Sequence, residues 1–299
     1  MARSLLAAVL FGLPARAQSF LDGPVVVVEE GMPAFTALPY DVSESSESLW
    51  ELVVLPKGVI YPSYLAGSKE SRMAFQLIRE ADDGPLLDAT LGGRFGLLRW
   101  GPRNERRGFQ IDLEGSAQLR LDLEEEMDLR GVDFRAGVPF TYGWANHQIK
   151  FGYYHLSSHT GDEFLLKNVG FERVNFVRDV LVLGYSYDVT ERLRLYGEAG
   201  WAFWSDYSEP WEFQMGLDYA PKRATGVRGA PFFALHGHLR EEVKFGGNIT
   251  AQAGWAWRGD GPESRMFRMG AQYYNGQSPQ YSFFKDFEEQ FGFGMWYDY

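Results

Sequence analysis

The sequence predicts an all-β protein, an antiparallel transmembrane barrel of about twelve strands, within a range of about ten to fourteen. Three observations predict it. Apolar and polar residues alternate over stretches too long for an ordinary strand. The last stretch of the chain alternates aromatic residues up to Tyr299. After a short apolar start, no later run approaches the roughly 18 to 20 continuous apolar residues of a membrane helix, so a chain that spans a bilayer must do so as a closed barrel.

The longest alternation runs from Phe109 to Glu124. Phe109, Ile111, Leu113, Gly115, Ala117, Leu119, Leu121 and Leu123 form one series, against Gln110, Asp112, Glu114, Ser116, Gln118, Arg120, Asp122 and Glu124. Successive side chains of a strand leave on opposite faces, so the stretch has one apolar and one polar face. Strands of globular proteins usually run about five or six residues, whereas a tilted membrane strand needs roughly 9 to 11. Slipping the register by one residue would push Asp112, Glu114, Arg120 and Asp122 into hydrocarbon. The register is therefore fixed.

In chain order, Met1-Ala2-Arg3, the apolar Leu5 to Leu13 and Ala15-Arg16-Ala17 have the pattern of a secretory signal spanning 1–17, cut after Ala17. Residues 18–70 read as an extension and linker. Within them Val25 to Val28, the polar stretch from Ser43 and the strand-like Leu49 to Leu55 precede Pro56-Lys57-Gly58, and Leu49 to Glu70 is expected against the barrel wall or inside its mouth. Residues 71–299 form the barrel. Its first pair is Arg72 to Ala81 and Leu87 to Trp100, and its fourth strand carries Val132, Phe134, Ala136, Val138 and Phe140 outward. Gln148 to Ser157 is fifth, and Arg173 to Tyr187 is sixth, with Asp179 interrupting an apolar series. Five further segments begin near Leu193, Trp211, Phe233, Phe245 and Phe267. The final strand sets Phe291, Phe293, Met295, Tyr297 and Tyr299 against Gln290, Gly292, Gly294 and Asp298, with Trp296 out of phase.

Composition fits this reading, with 16% aromatic residues, 34 glycines, no cysteine and a formal charge of −11. Aromatic girdles and glycine-rich strands suit a barrel in an outer membrane. The lack of cysteine excludes disulfides, thiol nucleophiles and thiolate metal sites. The acidic balance argues against nucleic-acid partners. The inward series mixes signs, with Asp112, Glu114, Arg120, Arg192, Arg194, Glu198, Glu212, Asp218, Arg240 and Lys244, which suits a filled lumen better than the one-sign ring of a selective pore. The expected role is an envelope protein or a narrow conduit with a largely filled polar lumen.

The densest polar cluster runs from Tyr153 to Glu163 and includes His155, Ser157, Ser158, His159, Gly161, Asp162 and Glu163. Ile149, Phe151 and Tyr153 mark the lipid face of that strand, and the same phase carries His155 and Ser157 onto it. A polar pair on that face needs a reason. A bulge at Tyr153 or Tyr154 would instead turn both residues into a lumen network. Metal binding is a further reading, through His155 and His159 on one strand face or through His236 and His238, which sit two apart on one strand.

A His two residues before a Ser on an outward strand face resembles the outer-membrane phospholipase A family, barrels of about twelve strands whose site faces the bilayer. That resemblance implies lipid acyl hydrolysis with Ser157 as nucleophile, His155 as general base and an Asn orienting the histidine, for which Asn175 or Asn168 would serve. It also implies calcium near the oxyanion, with Asp162 the nearest ligand. The glycine-rich stretch that follows in that family is replaced here by Ser158 to Glu163.

A broader match includes His155 with Ser157-Ser158-His159-Thr160-Gly161-Asp162-Glu163-Phe164-Leu165-Leu166, then Glu172-Arg173-Val174-Asn175, Arg194-Leu195-Tyr196-Gly197, and Tyr273-Tyr274-Asn275-Gly276-Gln277-Ser278-Pro279. From about Val53 onward the chain resembles the bacterial domain-of-unknown-function 1207 family. Thr160 stands where that pattern has Leu, and Gln280-Tyr281-Ser282 departs from its Asn-Gly-Gln. The resemblance implies a secreted, outer-membrane-type barrel of a Gram-negative bacterium and no particular activity. The partners expected are outer-membrane lipids and, through the last strand, the barrel-assembly machinery.

Overall fold

Alternation becomes geometry in the computed structural model, which describes residues 50–102, 105–226, 228–259 and 265–299. The leader expected at 1–17 and the extension through residue 49 lie outside the described residues. The strands are β1 (Trp50–Val54), β2 (Met73–Glu80), β3 (Gly84–Pro102), β4 (Gly108–Asp122), β5 (Asp128–Trp144), β6 (His147–Thr160), β7 (Val177–Asp188), β8 (Leu193–Asp206), β9 (Trp211–Tyr219), β10 (Ala230–Arg240), β11 (Gly247–Arg258), β12 (Met266–Gln277) and β13 (Phe287–Asp298). One helix, α1 (Asp162–Lys167), follows β6.

From β2 to β13 each strand pairs antiparallel with the next. β13 returns to β2, with Tyr297 opposite Met73 and Gln290 opposite Glu80. Closure leaves no edge among the twelve barrel strands, and closure is what satisfies the backbone of strands lying in hydrocarbon. β1 pairs with the part of β3 beyond the reach of β2, from Trp50 opposite Pro102 to Val54 opposite Leu98. The end of the cylinder where β2 begins and β13 finishes is called the terminal end. The end carrying α1 and the β4–β5 turn is the far end.

The two faces of the wall are chemically opposite. On β4, Gln110, Asp112, Ser116, Gln118 and Arg120 are buried inside, while Phe109 is exposed outside. At the terminal end the outward rings touch in a line: Trp50 and Trp100 at 5.0 Å, Phe109 and Tyr142 at 4.4 Å, Trp144 and His147 at 5.1 Å. Such a line is an aromatic girdle. Trp296, out of phase in the sequence, points inward at 2% exposure, and it has room because its ring fills the space a side chain at Gly294 would need, 2.5 Å from the position of a Cβ there.

Inside, the chain between β1 and β2 folds into the lumen. Ile60, Tyr61, Tyr64 and Ala66 are almost wholly buried, and Tyr64 stacks on Tyr196 of β8 with centroids 4.0 Å apart. This segment has no ladder, so its carbonyls need other donors. Arg194 supplies two, donating to Pro62 O at 2.8 Å and Ser63 O at 2.6 Å. Leu65 O accepts from Arg72 at 2.8 Å and from Arg268 at 3.0 Å. The mixed-sign series forms paired charges. Arg120 reaches Asp88 at 2.7 Å and Glu288 at 2.8 Å, Arg94 reaches Asp112 at 2.6 Å, and Arg194 reaches Asp218 at 2.5 Å. Two members expected in that series lie outside the strands. Arg192 is in the β7–β8 turn, and Lys244 is in the β10–β11 connection with φ 58°, a left-handed turn conformation that no strand position takes.

Candidate functional site

β6 keeps one phase from end to end. Its burial alternates without interruption, so Tyr153, His155, Ser157 and His159 leave on the outer face while Tyr154, Ser158 and Thr160 point inward. No register shift occurs between β6 and either neighbour. The bulge that would have turned His155 into the lumen is therefore absent from this strand.

Register then decides what His155 meets. Directly across on β7 is Asp179, and directly across from Ser157 is Val177. The Nδ1 atom of His155 lies 2.9 Å from Asp179 Oδ1, and the Tyr153 hydroxyl donates to the same oxygen at 2.6 Å. The side chains of His155 and Asp179 are 42% and 20% exposed, which places the pair on the outer surface. An ionised carboxylate can only accept, so Nδ1 is the donor in this hydrogen bond. Ser157 is two residues along the same face, about 7 Å away between Cα atoms by strand geometry. Its hydroxyl makes no hydrogen bond among the described residues. β8 bulges beside this pair, where Asp179 pairs with Trp204 and Val180 with Ala202. The bulge leaves both Phe203 and Trp204 exposed at this part of the wall.

Asn175 does not reach His155. It precedes β7 and donates to Asp206 Oδ2 at 3.4 Å, because the strand begins at Val177 and the register brings Asp179 to the histidine instead. Asn168 closes α1, donating to Phe164 O at 2.8 Å. Sequence reasoning missed the role of Asp179. Its signal was a carboxylate breaking the apolar series Val177, Leu181, Leu183 on the strand following the His-x-Ser pair.

Alternation divides the rest of the cluster. Ser158 is buried and bonds to Asp133 and to Ser282 Oγ at 2.7 Å. His159 is outward, its ring 6.0 Å from Phe134. Gly161 sits where a Cβ would come 1.7 Å from Leu129 O, so only glycine lets the chain pass β5 before α1. Asp162 and Glu163 occupy the first turn of α1 and are exposed. At the other end of α1, hydrogen bonds to Asp128 and Glu125 hold the Lys167 ammonium above the ordinary lysine range.

The donors do not fit a metal. His236 and His238 both point inward, yet His236 Nδ1 meets Tyr196 OH at 2.9 Å and His238 Nε2 meets Glu212 at 3.1 Å. Their rings are 6.4 Å apart, and each is held by a different partner. Among the described residues no three His, Asp or Glu side chains converge. Calcium takes six to eight oxygens, and among the described residues Asp162 belongs to no group of three such side chains. The residues around Ser157 thus do not make a calcium cage, and no step below passes through one.

A family model described as "Protein of unknown function (DUF1207)" matches residues 38–299. The chain belongs to the DUF1207 family. Among curated proteins none matches it. Among solved structures, this DUF1207 barrel is similar to the outer membrane phospholipase A of Escherichia coli, with TM-score 0.50 and 13% identity over 79% of this chain and 90% of that one. It is also similar to the Salmonella typhi outer membrane phospholipase dimer with bound calcium, with TM-score 0.50 and 12% identity over 79% and 91%, and to the KdgM porin, with TM-score 0.42 and 11% identity over 76% and 98%. At these identities the likeness is one of fold, the closed outer-membrane-type barrel.

Proposed function

We propose that this DUF1207 barrel resides in the outer membrane, reaches it through a cleaved signal and the barrel-assembly machinery, and hydrolyses acyl esters of membrane lipids at Ser157. The observation that carries the reading is the His155–Asp179 hydrogen bond on the apolar face, in line with Ser157. A carboxylate and an imidazole on a lipid-facing wall are costly, and pairing them there is the arrangement a base needs when its substrate arrives from the bilayer. The phospholipases of similar fold support the same direction.

In this mechanism His155 Nε2 takes the Ser157 hydroxyl proton as Oγ attacks the ester carbonyl carbon. Asp179 accepts the Nδ1 proton throughout, fixing the tautomer and stabilising the imidazolium. The tetrahedral intermediate collapses with cleavage of the bond to the alcohol, which receives the proton from His155. Water then adds to the acyl-serine by the reverse route and releases a fatty acid. The filled lumen has no part in these steps, and its paired charges support a rigid cylinder that does not act as a general porin.

The test is release of fatty acid from phospholipid vesicles carrying the purified barrel. Steady release above that of protein-free vesicles is expected. Release no faster than from those vesicles would overturn the reading.

A further inference from the structure

We propose that the outer wall carries a groove for one acyl chain of a membrane lipid ester, starting at His155 and ending at Tyr299, which selects long chains over short ones. At its ester end the proposal rests on the hydrolase reading above.

The groove follows from register. His155 is opposite Ala136, Ala136 is opposite Gly115, and Gly115 is opposite Gly93. Three successive strands thus place their smallest outward residues in one row beside the histidine. The hollow over that row measures about 860 Å³ and is flanked by Phe95, Val138 and Tyr153. Three inter-strand steps of about 4.8 Å give it a length on the order of 14 Å. At its end the Tyr299 ring lies on Gly93, 2.9 Å from where a Cβ would stand, and Arg265 stacks on that ring at 5.4 Å.

Direction supports the same occupant. Thr160, the last residue of β6, is in row with Gly131, Arg120 and Asp88, which lie three, two and four residues inside the far ends of their own strands, so a row descends from the far end as it leaves β6. Barrel strands tilt roughly 35 to 45°, and the descent is the consequence. A chain entering at His155 therefore slopes toward the middle of the bilayer, as the tail of a lipid with its ester at the surface must. A second outer hollow of about 500 Å³ lies over Gly197 and Ala199. Its rim carries a Tyr185–His147 hydrogen bond in place of a His–Asp pair, and it serves as a control.

Gly115 allows a clean obstruction, because the nearest atom to a Cβ there is Arg135 O at 3.7 Å. Gly197 is equally free, with Gln214 O at 3.9 Å. Gly115→Trp is expected to lower the ratio of palmitoyl-ester to butyryl-ester turnover by at least about tenfold, and Gly197→Trp to leave that ratio as in the wild type. An unchanged ratio in Gly115→Trp overturns the groove while leaving the hydrolase reading intact. Photocrosslinking separates the two ideas from the other side. A phosphatidylcholine with a diazirine near the end of one acyl chain, added to Ser157→Ala protein, is expected to label β3, β4 and β5 around the row several-fold more than β8 and β9, and less after Gly115→Trp. Even labelling around the barrel overturns the groove. Localised labelling in a protein whose wild type hydrolyses nothing retains the groove and removes the hydrolase.

Discussion

Ser157→Ala is expected to lower lipid-ester turnover to background, and His155→Ala to lower it by about a thousandfold or more. The two substitutions remove parts of one unit, so the double variant is expected to be no slower than Ser157→Ala alone. Asp179→Asn is the more informative member. Its amide can present a hydrogen to Nδ1 and so favours the tautomer with Nε2 protonated, which cannot accept the Ser157 proton, and the expected loss is on the order of a hundredfold or more. The same change removes a charge from the lipid-facing wall. A charged side chain there is costly, so Asp179→Asn is expected to unfold at the same or a higher urea concentration than wild type while losing activity. Lost turnover with lost stability would instead make Asp179 a structural residue. The measurements are fatty-acid release and urea unfolding of the same preparations.

Asp133→Ala is the substitution with the largest expected cost to stability. Asp133 of β5 is fully buried and accepts from Lys69 and Ser158, and from the Tyr281 amide at 3.2 Å. It ties the lumen segment, β6 and the β12–β13 connection to the wall. Its removal strands the Lys69 ammonium, 6% exposed at the side chain, in the barrel interior. Breaking a buried pair on one side costs about 3 to 5 kcal/mol. Urea unfolding should shift by that amount, and planar-bilayer recordings should show current steps that the wild type lacks, since Lys69 anchors the segment that fills the lumen. A second change, Lys69→Met, should restore much of the loss, because an apolar pair of similar volume removes the unpaired charge. Unaltered unfolding in Asp133→Ala would mean that the lumen network does not hold the filling segment.

How much of this was legible in the sequence depends on range. Period-two alternation is local, and Phe109 to Glu124 fixed both the extent of β4 and its two faces almost residue for residue. Phase carried that reading to His155 and Ser157. The partner of His155 was not legible, because it depends on the register between β6 and β7, and the residues between them include α1 and a turn of no fixed length. Asn175 is nearer in sequence to His155 than Asp179, yet the start of β7 at Val177 excludes it. The lumen segment gave no periodic signal for the same reason in another form. Tyr64 is placed by Tyr196 and Glu198, more than a hundred residues away, and holds Tyr61 in turn, and carbonyls of the segment are satisfied by Arg72, just before β2, and by arginines from β8 and β12 instead of by a ladder. Lys244 was misplaced because the alternation of β11 continues through it on paper, while the chain there turns left-handed before the strand begins at Gly247.

The proposed activation of Ser157 as a nucleophile, on the lipid face of β6, leaves a chemical signature. Its direct measurement is treatment of the membrane-embedded barrel with a long-chain alkylphosphonyl fluoride, followed by peptide mass spectrometry across β6. A phosphonyl group is expected on Ser157 and none on buried Ser158, with labelling lost in His155→Ala. An unmodified Ser157, or modification that persists without His155, would contradict it.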